Sequence, residues 1–165
     1  HRQSSAASDV YKRQEYEYLL PVADEALMEQ IQKLLSKLNL PIVIEEKAMQ
    51  DFLSISDIAI VTSGTATLES AILGCSPIIC YKTGFINFSI ISRMLRVDNI
   101  GLPNLLLGKK YFNELLQDNC TQETIHKSFN ETLSLVKDSN NIAETLRKAL
   151  KGIGYSRAAK EIVSI

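Results

Sequence analysis

Short runs rich in β-branched residues alternate with longer stretches of helical spacing along the first half of this 165-residue chain. Strands are predicted at 16–22, ended by Pro21, and at 41–44, 58–61 and 78–81. Helices are predicted between them: from the capping residue Asp24 to Asn39, at 48–54, and from the turn at 63–64 to Gly74. This alternation predicts a Rossmann-like α/β fold, in which a parallel sheet carries helices on both faces.

The second half of the chain is predicted to be mainly helical. Residues 85–97 place apolar side chains on one side of a helix and Arg93 and Arg96 on the other. Packing against the sheet is the ordinary explanation of such a pattern, and an interfacial membrane helix is the alternative. The Gly and Pro at 101–105 predict a shaped loop. Further helices are predicted at 109–117, 121–136, 142–150 and 157–163.

Composition and charge fit one globular domain that binds no nucleic acid. The chain is 45% hydrophobic with a net charge of −1, so it has apolar residues for a core and no basic excess. Its three cysteines show no C-x-x-C spacing, which is typical of free thiols in a reducing compartment. No apolar run reaches the roughly 20 residues that span a bilayer. We therefore expect a cytoplasmic protein.

Residues 1–14 differ from the rest of the chain. They are polar, as in a disordered tail, and they resemble translated sequencing adapter. A genuine flexible linker is the alternative, but the abrupt change of composition at Glu15 favours foreign sequence. We expect a disordered or foreign tail at 1–14 and a truncated domain at 15–165, whose first strand lies upstream.

The turn at 63–64 carries the most informative chemistry. Free N–H groups at a helix start, on the carboxyl edge of a parallel sheet, favour binding of a phosphate-bearing anion. Glu69 follows Thr65 by four residues on one helix face, so its carboxylate would lie beside the anion and suit the paired hydroxyls of a sugar. The alternative, an ordinary turn followed by a solvated glutamate, is more frequent on spacing alone.

Three motifs then occur in the order SGTATLE, PIICYK and LPNLL. With them, residues 16–165 resemble the C-terminal half of lipid-A-disaccharide synthases, bacterial glycosyltransferases of the GT-B class. The resemblance implies a donor-binding domain followed by C-terminal helices. It also implies an inverting hexosyltransferase that moves 2,3-diacylglucosamine from its UDP carrier to 2,3-diacylglucosamine 1-phosphate. The products would be UDP and the β-1,6 disaccharide of lipid A.

The residues that this resemblance assigns to UDP-sugar binding are Ser63, Gly64, Thr65, Thr67, Glu69, Tyr81, Lys82 and Asn104. The diphosphate would contact Ser63, Gly64 and Thr65. Glu69 would hold the ribose, and Asn104 would help to position the nucleotide.

The family's usual motif is Ser-Leu-Pro-Asn, and Gly101 departs from it, which removes one hydroxyl contact. No cofactor or metal is implied, because helix N–H groups stabilise the leaving diphosphate and no Asp-x-Asp pair is present. The catalytic base and the acceptor pocket would belong to a missing N-terminal half. We therefore expect no catalytic residue in this fragment and no activity from it alone.

The partners implied by the resemblance are the UDP-diacylglucosamine donor, a lipid monosaccharide acceptor, the inner-membrane surface of a Gram-negative bacterium and a second copy in a homodimer. Two other functions fit parts of the pattern. A UDP-sugar 2-epimerase half-domain would keep the Ser-Gly turn and the glutamate, but the LPNLL motif and the helix at 85–97 disfavour it. A non-catalytic interaction module on a Rossmann-like sheet would fail to bind UDP.

Overall fold

A computed structural model of the chain describes residues 16–37, 41–62, 64–82 and 99–151. The fold is α/β, as predicted, and its strands are parallel. The chain divides into two compact units between Phe52 and Leu53, and each unit has its own sheet. The predicted helices at 85–97 and 157–163 and the tail at 1–14 lie outside the described residues. None of the helices in the described ranges combines the length and the apolarity that a bilayer span requires.

The first unit is a small βαβ arrangement. Its elements are β1 (Tyr18–Val22), α1 (Glu25–Leu35), β2 (Ile42–Glu46) and α2 (Met49–Ile55), which crosses the division between the units. Asp24 caps α1 as predicted, since its carboxylate accepts a hydrogen bond from the N–H of Ala26 at 2.9 Å. Two predicted boundaries are wrong: α1 ends at Leu35, before Asn39, and Pro21 lies inside β1, opposite Glu45.

The second unit contains the predicted central strand and the helices that follow it. Its elements are β3 (Ile58–Thr62), α3 (Thr65–Leu73), β4 (Ser76–Tyr81), α4 (Leu102–Leu107), β5 (Glu114–Leu116), α5 (Gln122–Leu135) and α6 (Ser139–Leu150), with 3-10 turns at Gln117–Asn119 and Val136–Asp138. The strand order is β3-β4-β5. Thr62 lies opposite Cys80 and Tyr81 lies opposite Leu116, so the three strands end together at one carboxyl edge.

Strand β4 is the centre of this unit and is buried on both faces. Ile79 packs with Ala71 of α3 and Leu146 of α6, and both Ile79 and Leu146 are fully buried. Ile78 points to the opposite face, where it packs with Phe129 of α5. The second unit therefore has helices on both faces of its sheet, as the sequence predicts.

Helix α3 is fixed at its carboxyl end by two contacts. Gly74 adopts the left-handed conformation with φ of +89°, the predicted glycine stop. The guanidinium of Arg147 in α6 donates a hydrogen bond to the carbonyl of Ile72 at 2.6 Å. These contacts set the position of α3, and hence of its amino end at the carboxyl edge of the sheet.

Two elements differ from the prediction between β4 and α5. The shaped loop expected at 101–105 is instead the start of the short helix α4, with Pro103 in its first turn. The helix expected at 109–117 is wrong, because residues 114–116 form β5 beside β4. The backbone leading into β5 is bound by the Asn104 side chain, a contact that residue spacing does not reveal.

Candidate functional site

The turn between β3 and α3 presents backbone at the carboxyl edge of the second sheet. Gly64 is the N-cap of α3 and has φ of +151°, which L side chains rarely adopt. A Cβ built on Gly64 meets no atom within 4 Å, so the space in front of this backbone is open among the described residues. Ser63, the other half of the predicted turn, lies outside the described residues.

The first turn of α3 supplies N–H groups toward this space. The amides of Thr65 and Ala66 have no acceptor within the helix, and the aligned peptide dipoles make this end positive. Thr67 is different, because its side chain is fully buried and its hydroxyl donates to the carbonyl of Gly64 at 2.7 Å. The expectation that Thr67 contacts a nucleotide is therefore corrected: the buried Thr67 hydroxyl stabilises the backbone of the turn.

Glu69 lies one turn further along α3 than Thr65, and both residues are exposed. A rise of 1.5 Å per residue places them about 6 Å apart along the helix axis. The carboxylate therefore lies beyond the N–H groups that attract an anion, on the same helix. This is the relative placement that the sequence predicts for the two residues.

Tyr81 and Lys82 belong to the same edge. Tyr81 is the last residue of β4 and is half-buried, while Lys82 follows it and is exposed. Because Thr62 and Cys80 are paired in register, and neighbouring strands lie about 4.8 Å apart, the β3–α3 turn and Lys82 leave the sheet side by side. No ion pair within the described residues engages Lys82. A cation and a positive helix end thus flank one opening.

Asn104 does not join this group. Its side chain is fully buried, and its amide nitrogen donates to the Phe112 carbonyl at 2.9 Å and to the Glu114 carboxylate at 2.8 Å. Its oxygen accepts from the N–H groups of Tyr111 and Phe112 at 2.9 and 3.0 Å. Both donors and both acceptor positions of the amide are therefore used within the chain. The expectation that Asn104 reads the nucleotide is corrected to a structural role.

Glu114 belongs to the same hydrogen-bond network as Asn104. Its carboxylate also accepts from the N–H groups of Ile100 and Gly101 at 2.9 and 3.0 Å, which fixes the start of α4. A side chain at Gly101 would require the end of the Ile79 side chain to move. A Cβ at Gly101 would lie 2.3 Å from the Cδ1 atom of Ile79, which is itself fully buried.

The two buried cysteines of the second unit, Cys75 and Cys80, are poor nucleophiles. Burial raises the pKa of the Cys80 thiol to about 12, and neighbouring Cys120 adds to the shift. Burial, with a contribution from Asp57, likewise raises the pKa of Cys75 to about 12. Both thiols are protonated at neutral pH. Among the described residues no group of three or more His, Cys, Asp or Glu side chains is arranged to hold a metal ion.

One backbone feature at this edge is not predictable from the sequence. Gln117 directly follows β5 and has φ of +50°, in the left-handed region that non-glycine residues seldom occupy. Such backbone strain is concentrated at functional sites. No sequence signal points to it, because a glutamine carries no preference for this conformation.

Comparison with known proteins identifies relatives. The family model for lipid-A-disaccharide synthetase matches residues 5–163, beginning inside the stretch for which a foreign origin is expected. The chain is 36% identical over 110 residues to the lipid-A-disaccharide synthase of Alcanivorax borkumensis, covering 66% of this chain and 29% of that protein. It is 28% identical over 151 residues to the synthase of Syntrophotalea carbinolica, covering 92% and 38%. It is 32% identical over 129 residues to that of Wigglesworthia glossinidia brevipalpis, covering 77% and 33%. The chain thus spans 29–38% of the length of these relatives.

Proposed function

Because the chain belongs to the lipid-A-disaccharide synthetase family, we propose that it forms the donor-binding part of a glycosyltransferase. The whole enzyme would transfer 2,3-diacylglucosamine from UDP-2,3-diacylglucosamine to 2,3-diacylglucosamine 1-phosphate. The products would be UDP and the β-1,6-linked lipid A disaccharide 1-phosphate. The role of this chain would be to bind the nucleotide and to stabilise the diphosphate as it leaves.

The single observation that carries this proposal is the opening at the carboxyl edge of the second sheet. Gly64 presents bare backbone there, the positive end of α3 faces it, and Lys82 leaves the sheet beside it. Each of these features favours a diphosphate, whose negative charge grows as the bond to the sugar breaks. Thr65 adds a hydroxyl at the same helix end.

Glu69 would hold the ribose of the same nucleotide. Its negative charge repels phosphate, so it suits this site only if it accepts hydrogen bonds from hydroxyls. The ribose offers two hydroxyls on adjacent carbons, and Glu69 lies about 6 Å beyond Thr65 along α3. Tyr81 is half-buried at the end of β4, at this edge of the sheet. Its aromatic ring would border the nucleotide.

The experiment that tests this proposal is a calorimetric titration of UDP into the wild-type chain and Glu69→Ala. Hydrogen bonds to a charged group contribute about 1.5–3 kcal/mol each, so the variant should bind UDP roughly tenfold to a hundredfold more weakly. Its folding should hardly change, because alanine is a better helix former than glutamate. Glu123→Ala, an exposed helical glutamate in α5, is the matched control and should bind as wild type.

A second ligand isolates the contact. The wild-type chain should lose affinity for 2′,3′-dideoxy-UDP to about the same extent as Glu69→Ala loses affinity for UDP, and the variant should not distinguish the two ligands. Equal UDP affinity in wild type and Glu69→Ala would remove Glu69 from the site. Absence of UDP binding by the wild-type chain would leave the non-catalytic interaction module as the better description.

The finer features of the reaction belong to the same proposal. Inversion at the anomeric carbon requires a base on the face opposite the diphosphate. We propose that this base lies outside the present chain, which spans 38% of the Syntrophotalea carbinolica relative. The 165-residue chain should then show no glycosyl transfer by itself. Dimerisation and binding at the inner face of the cytoplasmic membrane are further parts of the proposal.

A further inference from the structure

Two of the three cysteines of the chain come together beside strand β4. Ile78 and Cys80 point to the face of the sheet that α5 covers, because side chains two residues apart on a strand share a face. Cys120 directly precedes the N-cap of α5 and packs against the same cluster of buried side chains. The thiols of Cys80 and Cys120 are in hydrogen-bonding contact. Both cysteines are free, so the contact joins two reduced thiols.

The backbone around this contact is fixed by hydrogen bonds. Cys80 is paired in register with Leu115 of β5, which lies only five residues before Cys120. The N–H of Cys120 donates to the carbonyl of Gln117 at 3.0 Å and closes the 3-10 turn that follows β5. The next residue, Thr121, caps α5 through its side chain. Paired backbone therefore sets the position of one sulfur relative to the other.

Cys75, the third cysteine, lies at the far end of the same strand. It directly precedes β4, and five steps of about 3.3 Å along the strand separate it from Cys80 by roughly 16 Å. The Cα atoms of a disulfide are about 4.4–6.8 Å apart. Cys75 therefore cannot be joined to Cys80 in the folded chain, and it serves as an internal control for the other two thiols.

The two thiols in contact differ in their access to solvent. Cys80 is 9% exposed, whereas Cys120 is half-buried, so a reagent in solution reaches Cys120 first. Burial, to which Cys120 adds, raises the pKa of Cys80 to about 12, so Cys80 seldom starts a reaction. Its attack on a group already bound to Cys120 is intramolecular, and such proximity replaces a high concentration of thiol. Redox-sensitive sites pair an accessible cysteine with a resolving cysteine in this way.

We propose that Cys80 and Cys120 form a reversible modification site, which low-molecular-weight disulfides such as glutathione disulfide oxidise to an intramolecular disulfide. In the first step, Cys120 gives its proton to solvent and its sulfur attacks glutathione disulfide. A bond between Cys120 and glutathione forms, and one glutathione leaves as a thiolate that takes up a proton. In the second step, Cys80 gives up its proton and attacks the Cys120 sulfur, and the second glutathione leaves in the same way. Two protein thiols are oxidised, and one glutathione disulfide is reduced to two thiols.

The disulfide joins the end of β4 to the start of α5. Disulfides in reducing compartments are usually transient and redox-sensing, so this bond forms when the ratio of glutathione disulfide to glutathione rises. Excess reduced thiol reverses both steps. The site thus responds to the thiol redox state of its surroundings.

The test is incubation of the folded, complete 165-residue chain with glutathione disulfide, followed by tryptic peptide mapping without reduction. Trypsin cuts after lysine and arginine, so Cys80 lies in peptide 48–82 and Cys120 in peptide 111–127. We expect these peptides to be joined with the loss of two hydrogen atoms, and to separate after treatment with dithiothreitol. Peptide 48–82 also contains Cys75, so Cys75→Ala is the matched control and should give the same cross-link as wild type.

Single variants separate the two steps. Cys80→Ala should stop at the mixed disulfide between Cys120 and glutathione. Cys120→Ala should react with glutathione disulfide at least about tenfold more slowly than wild type, because only buried thiols remain. A further measurement needs no variant: phenylarsine oxide, which bridges two neighbouring thiols, should bind once per wild-type chain and protect Cys80 and Cys120 from alkylation.

Several results would overturn this site. They are a mixed disulfide in the wild-type chain that never gives way to the cross-link, a cross-link that persists in Cys80→Ala, and disulfide-linked pairs of chains in place of the intramolecular bond. Failure of phenylarsine oxide to protect the two thiols would overturn it as well. None of these measurements depends on UDP binding, so the cysteine pair and the proposed donor site can fail independently.

Discussion

Replacement of Asn104 by alanine should destabilise the second unit strongly. Two of the contacts that would be lost are to the N–H and carbonyl of Phe112, a residue that is 5% exposed. Water does not reach these groups easily, and a buried polar group without a partner costs about 1–3 kcal/mol. The N–H of Tyr111 is nearer the surface and regains water. The free energy of unfolding should therefore fall by about 2–6 kcal/mol.

Urea denaturation followed by circular dichroism measures this loss. Asn119→Ala is the matched control, because Asn119 is exposed and its side chain makes no hydrogen bond with the described residues. Its effect should stay within about 0.5 kcal/mol. Asn104→Asp keeps the size of the side chain but turns an oxygen toward the Glu114 carboxylate, so it should destabilise at least as much as alanine. A loss below about 1 kcal/mol in Asn104→Ala would refute the claim that the Asn104 hydrogen bonds stabilise the second unit, since one unpaired buried group alone costs that much.

Two further predictions concern the packing of the second unit. Gly74→Ala should lower the melting temperature more than Gly108→Ala. Both glycines have positive φ, so both substitutions strain the backbone. Only at Gly74 would the new Cβ also meet another residue, at 2.8 Å from the Oδ1 atom of Asn140. Equal losses would show that backbone strain alone decides. Folding raises the pKa of the Cys75 and Cys80 thiols from 9.0 to about 12. As the pH rises, these thiols therefore lose their protons first in the unfolded chain. The free energy of unfolding should fall as the pH rises between those two values. The double variant Cys75→Ala, Cys80→Ala should show a flatter decline in urea denaturation at pH 8–11, and an unchanged decline would contradict this cause.

Elements with local determinants were predictable from the sequence. Asp24 caps α1 through a carboxylate that lies two residues from the N–H it binds. Gly74 ends α3 because the left-handed conformation suits glycine. The placement of Glu69 one turn after Thr65 follows from helix geometry alone. These features need no knowledge of distant contacts.

Elements with distant determinants were not predictable. Strand β5 has three residues, and Leu115 and Leu116 would fit a helix equally well until pairing with β4 is known. Asn104 has the chemistry of a nucleotide ligand, and only its burial against Phe112 shows a structural role. Thr67 resembled a ligand for the same reason, although its hydroxyl returns to Gly64. The type of side chain indicates its chemistry but not the direction in which it points.

The hydrogen bond from Arg147 to Ile72 joins residues 75 positions apart, and this has a consequence for synthesis on the ribosome. Helix α3 leaves the ribosome before α6, the helix that covers it, which is the last described element to appear. Until residue 147 has been added, the apolar face around Ala71 lacks the cover that Leu146 later provides. Nascent chains with such exposed apolar surfaces are prone to aggregate. A chaperone that holds the chain at this stage should therefore increase the yield of folded protein, and release before α6 emerges should reduce it.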